Sequence, residues 1–77
     1  MVREKVFKIV SDVLNIPLDV INEGSSQDTL LQWDSLQNLN LILALEEKFG
    51  IQFHEHQIVK MVNVRSIILA VEELKKV

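Results

Sequence analysis

Apolar residues along this chain recur mainly at helical spacing. In Val2–Leu14, Val6, Val10, Val13 and Leu14 return at three- and four-residue steps with Phe7 alongside, which predicts an amphipathic helix. Asn15-Ile16-Pro17 ends it, since Pro17 has no N–H and turns Ile16 away from helix. Leu18–Trp33 then reads as one long connection. Its polar centre, Asn22–Thr29, holds Gly24 and two serines, while Val20, Ile21, Leu30 and Leu31 on either side are expected to pin it to the core. Loops this long in so small a protein are often functional.

A second helix is predicted over Ser35–Phe49. Asp34 is its N-cap, Gln37 three residues on makes a capping-box pair, and Gly50 ends it. Ile51–His56 reads as extended or irregular. Ile51-Gln52-Phe53 alternates, but one strand has nothing to pair with. A short helix follows near Gln57–Met61, and Asn63 caps a last helix over Val64–Lys76 with the stripe Val64, Ile67, Ile68, Val71 and Leu74. The expected fold is all-α: a four-helix bundle of three main helices and a short third one, with a long first loop.

At about 100° per residue, the second helix carries two apolar stripes. Leu41, Ile42, Leu45 and Phe49 make the core stripe. Leu36, Leu39 and Leu43 lie elsewhere on the circumference, either buried by a central position of the helix or forming a docking patch.

Composition narrows the function. The 77 residues suit one domain, 1–77, too small to wall a deep enzyme pocket. There is no cysteine, so disulfides, zinc–thiolate sites and thiol catalysis are excluded. No leader-like or membrane-spanning run is visible, and a monomer in the cytoplasm is expected. Net charge is −3, unevenly spread: between Lys8 and Lys48 there are seven acids and no Lys or Arg, while the remainder has eight bases against four acids. An acidic middle opposes nucleic-acid binding and suits either a partner with a basic face or simple solvation.

Ser35 stands at the mouth of the second helix, where free backbone N–H groups and the helix dipole favour a phosphate. Catalysis by Ser35 is not supported. The glycines of a nucleophile elbow are missing, Asp34 is better used as a cap, and nothing places His54 or His56 beside the hydroxyl. His54-Glu55-His56 offers two imidazoles for a metal but no further ligands, so a polar loop is the better explanation.

Asp34-Ser35-Leu36, followed by Leu39, Leu41 and Ala44-Leu45-Glu46-Glu47-Lys48-Phe49, resembles the signature of the acyl carrier proteins. The likeness runs over essentially the whole chain, including Val13-Leu14-Asn15-Ile16, Phe53 before the third helix and Val64 opening the last. It implies a carrier with no catalysis of its own. Its serine, here Ser35, receives 4′-phosphopantetheine from coenzyme A through a phosphopantetheinyl transferase, and the arm's thiol then holds an acyl thioester. By the same resemblance Asp34 and Leu36 are read by the transferase. Leu43, Glu46 and Glu47 face acyl ligases, acyltransferases or synthases with basic docking patches, and Leu45, Ile58, Met61 and Ile68 line an acyl cleft.

The chain departs from fatty-acid carriers of this family in having neutral Gln37 and Asn40 where acids are usual, and Leu31-Gln32-Trp33 where small residues are common. This favours a dedicated carrier, for a polyketide or specialised lipid, over a housekeeping one. Trp33 is either a packing plug under the loop or a partner contact. The alternatives are a peptidyl or aminoacyl carrier domain and an unmodified helical interaction module.

Overall fold

The computed structural model describes residues 2–75. Four helices follow in order: α1 (Val2–Leu14), α2 (Ser35–Phe49), α3 (Glu55–Lys60) and α4 (Val64–Lys75), with a 3-10 turn over Leu18–Val20 inside the long connection. The all-α bundle stands. The expected end of α4 at Lys76 lies outside the described residues.

Helix ends are set by local chemistry. Asn15 takes a left-handed backbone (φ 56°) after α1, and the Ile16 N–H donates to the Ser11 carbonyl at 3.1 Å. Gly50 does the same after α2 (φ 64°), with the Ile51 N–H donating to the Glu46 carbonyl at 3.1 Å. Both closures satisfy carbonyls that a helix C-terminus otherwise leaves open. At its start, α2 is capped by Asp34, whose Oδ1 accepts the Gln37 N–H at 2.8 Å. The reciprocal half of the expected capping box is not made. Gln37 Oε1 accepts instead from Asn40 Nδ2 at 3.1 Å, one turn along the same face.

The third helix begins two residues earlier than predicted, and Met61 ends it rather than lying within it. The reason is at His54, whose backbone N–H donates to Gln57 Oε1 at 2.9 Å. A Gln three residues beyond the first non-helical residue thus satisfies an open donor and starts the helix there. Ile51–Phe53 forms no strand.

The core joins α1, α2 and α4: Val6, Val10, Leu41, Leu45, Val64, Ile67 and Val71 are almost fully excluded from solvent. Burying each such side chain contributes roughly 1.5–3 kcal/mol. Ile9, absent from the predicted stripe of α1, is also buried. In the long connection Ile21 is buried and Leu30 packs against the core, but Val20 and Leu31 do not serve as pins: Leu31 is 98% exposed and Val20 about half exposed.

The long connection is fastened to the start of α4. The Glu23 carbonyl accepts the Arg65 N–H at 2.9 Å, and the Ser25 carbonyl accepts the Val64 N–H at 3.0 Å. Asn63 Oδ1 accepts the Ser66 N–H at 2.8 Å, and the Asn63 N–H donates back to Ser66 Oγ at 3.0 Å. Three N–H groups that an α-helix cannot satisfy internally are therefore answered, two of them by the loop.

Candidate functional site

The loop ends where α2 begins. Trp33 is the last anchor before the site, buried to 2% exposure, with its Nε1–H donating to Asn38 Oδ1 at 2.9 Å. Of the two roles open to it, the packing plug is the one the burial supports. Because an indole N–H can only donate, the bond fixes which way the Asn38 amide points. Trp33 thus holds the loop's end against the first turn of α2.

Ser35 is the first residue of α2 and is exposed. The hydrogen bonds around it run from Trp33 to Asn38, from Gln37 to Asp34 and from Asn40 to Gln37, and none involves the Ser35 hydroxyl. Among the described residues no base is hydrogen-bonded to Ser35 that could activate it as a nucleophile. Asp34 answers the Gln37 N–H, so the N–H groups of Ser35 and Leu36 remain open at the positive end of the helix. The arrangement suits an oxygen-linked phosphate on an accessible hydroxyl.

Beside this point lies a cleft of about 290 Å³. Ser26, Gln27 and Asp28 from the loop and Asn38 from α2 make a polar wall, facing Ile58, Val59, Met61 and Val62. Asn38 lies one turn from Ser35, which does not itself line the cleft. Of the four residues assigned to an acyl cleft by resemblance, Ile58 and Met61 line this one. Leu45 is fully inside the core, and Ile68 is buried in α4. A larger groove, about 580 Å³, lies among Lys5, Lys8, Asp12 and Phe49, at the opposite end of α2 from Ser35.

The acids divide by environment. Glu46 is partly buried, and its Oε2 accepts the Phe53 N–H at 2.9 Å, tying α2 to the segment before α3. Glu47 is exposed, and its side chain has no hydrogen-bond or ion-pair partner among the described residues. Leu36, Leu39 and Leu43 are all exposed, so the second stripe of α2 is not consumed by the core. Sequence reasoning did not find the structural task of Glu46, whose partner lies seven residues away and beyond a helix stop. Nor did it find Asn38, five residues from Trp33.

The His54 and His56 rings stack with centroids 5.7 Å apart and planes 5° from parallel. Among the described residues no group of three or more His, Asp or Glu side chains could hold a metal ion. No described helix is long and apolar enough to cross a membrane.

Ser35 is thus an exposed hydroxyl at a helix mouth, with no base hydrogen-bonded to it among the described residues. Comparisons with known proteins give the family. Residues 4–71 match the family model described as the phosphopantetheine attachment site. The acyl carrier protein of Campylobacter hominis is 32% identical over 75 residues, spanning 97% of this chain and 95% of that protein. The acyl carrier protein of Thermosynechococcus vestitus is 37% identical over 68 residues, spanning 87% and 83%. Among solved structures, the holo acyl carrier protein of Geobacter metallireducens superposes with a TM-score of 0.84 at 26% identity, over 94% of this chain and 83% of that one. The chain belongs to the acyl carrier protein family. It is a carrier of phosphopantetheine rather than an enzyme.

Proposed function

We propose that Ser35 is the residue to which 4′-phosphopantetheine is joined, and that residues 1–77 form one carrier domain holding acyl intermediates as thioesters on that arm. The position of Ser35 carries this reading: first in α2, exposed, with an unbonded hydroxyl beside open backbone N–H groups. A phosphopantetheinyl transferase would take the hydroxyl proton as Oγ bonds to the pantetheine-bearing phosphorus of coenzyme A, the pyrophosphate link breaks and 3′,5′-adenosine bisphosphate leaves. The arm's thiol supplies the thioester chemistry that a cysteine-free chain cannot.

The cleft beside Ser35 suits the arm better than a long alkyl chain. One wall is polar, and Leu45 and Ile68 belong to the packed core. The neutral pair Gln37–Asn40, bonded to each other, supports a dedicated carrier for a polyketide or specialised lipid over one serving a housekeeping fatty-acid synthase. Acyl-handling enzymes with basic docking patches remain its partners in this reading.

Incubation with coenzyme A, Mg²⁺ and a broad-specificity phosphopantetheinyl transferase, followed by intact mass measurement, tests the assignment. The expected result is the gain of one phosphopantetheine group, abolished in Ser35→Ala. No gain with several transferases, or a gain that survives Ser35→Ala, would refute it.

A further inference from the structure

Asn38 faces two ways. Its Oδ1 accepts the Trp33 Nε1–H at 2.9 Å, and the residue also lines the 290 Å³ cleft formed with the long connection and α3. A side-chain amide can in general turn over, exchanging its oxygen for its nitrogen. Here that exchange is penalised. An indole N–H only donates, so a turned amide would set two donors against each other beside a buried ring. Trp33 itself does not line the cleft. It acts from behind the wall, and it leaves Nδ2 on the other side of the amide. No hydrogen bond among the described residues uses that Nδ2.

The other polar groups of the cleft differ from it. Ser26 Oγ already accepts the Asp28 N–H at 3.2 Å. The Asp28 carboxylate can only accept, and Gln27 is exposed with no bond among the described residues to fix its amide. Asn38 Nδ2 is therefore a donor of set direction on a wall that also offers a carboxylate acceptor. Across from them stand Ile58 and Met61. A ligand suited to such walls carries amide groups, which both accept and donate, on a chain with apolar carbons. The phosphopantetheine arm has its amides and its dimethyl carbon. A plain alkyl chain gives Nδ2 nothing to bond. Asn38 also follows Ser35 by three residues, about 4.5 Å along the helix, so an arm on Ser35 starts within one turn of it.

We propose that Asn38 is a positioning residue for the arm: its Nδ2 donates to an amide carbonyl of phosphopantetheine, and Trp33 sets the direction of that donor. The inference rests on the assignment of Ser35 above. It gives Trp33 a task beyond filling space. A phenylalanine could plug the end of the loop, but it has no N–H and would leave the Asn38 amide free to turn.

The test compares apo and holo protein by proton–nitrogen NMR, the holo form being made with coenzyme A and a broad-specificity phosphopantetheinyl transferase. Loading should move the Asn38 side-chain amide signals of the wild type. Nuclear Overhauser contacts should run from the arm to Ile58 and Met61. Asn38→Asp keeps an oxygen for Trp33 and removes the donor. Its Trp33 Nε1–H should stay protected from solvent exchange, while the ratio of docked to free arm falls about two- to twelvefold, the range expected for one neutral hydrogen bond. Trp33→Phe should lower the same ratio, because the amide is no longer held. The inference is overturned by Asn38 amide signals that are the same in apo and holo wild type, or by an arm docked as firmly in either variant as in the wild type. The first of these outcomes needs no variant, so it decides the matter even where a substitution disturbs the fold. A wild type that loads normally with its Asn38 amide unmoved removes this inference alone. A wild type that gains no phosphopantetheine removes the Ser35 assignment, and this inference with it.

Discussion

Replacing Glu46 by alanine separates the two adjacent glutamates of α2 by what they do. Glu46 Oε2 accepts the Phe53 N–H at 2.9 Å, and the Phe53 ring is buried in the core just before α3. A hydrogen bond to a charged acceptor contributes about 1.5–3 kcal/mol when well shielded. Glu46 is only partly buried, so water takes back some of that, and a loss of about 1–2 kcal/mol is expected. For a chain of this size each kcal/mol lowers the Tm by roughly 4–8 °C, giving a fall of about 4–16 °C. Glu46→Gln keeps an acceptor oxygen and should lose under about 1 kcal/mol. Glu47→Ala, at an exposed side chain with no partner among the described residues, should stay within about 0.5 kcal/mol of wild type. Thermal melts by far-ultraviolet circular dichroism give the three Tm values. If Glu46→Ala and Glu47→Ala melt within about 2 °C of each other, the bond to Phe53 contributes nothing and Glu46 returns to the pool of surface acids.

Trp33→Phe should cost about 1–3 kcal/mol, from lost buried area and from stranding Asn38 Oδ1. A double-mutant cycle with Asn38→Ala, read by urea unfolding, should give a coupling of about 1 kcal/mol, and a coupling near zero would deny the bond any energetic role. Asn63→Ala removes the cap of α4 and should lower stability by about 1 kcal/mol in the same assay. Asn63→Asp should recover most of it, and equal stability of all three would show that the loop carbonyls alone suffice.

Local chemistry made most of the fold legible. Pro17, Asp34, Gly50 and Asn63 mark helix ends because each acts on backbone atoms within a few residues, and those boundaries stand. The start of α3 was missed because histidine is not a favoured cap residue. The signal was present in Gln57, three residues after His54. Val20 and Leu31 were read as anchors from their apolar character, but an irregular backbone has no period from which to infer direction. At the candidate site, the place of Ser35 at the start of α2 and the cap at Asp34 were readable from the loop-to-helix transition. The contacts Trp33–Asn38 and Glu46–Phe53 were not, since each depends on how the chain turns between them. Glu46, expected on an acidic docking face, also holds the Phe53 N–H, a contact its charge alone does not reveal.

The two loop carbonyls that answer the first N–H groups of α4 have a kinetic meaning as well. Glu23 and Arg65 stand 42 residues apart, with α2 and α3 between them. Closing that span costs chain entropy before any bond rewards it. The two bonds between the loop and the first turn of α4 therefore belong to the later contacts of the fold. Loop and turn each wait for the other to arrive before these two bonds form. In a growing chain the loop carbonyls of Glu23 and Ser25 thus stay unfastened until the segment around Arg65 has been made.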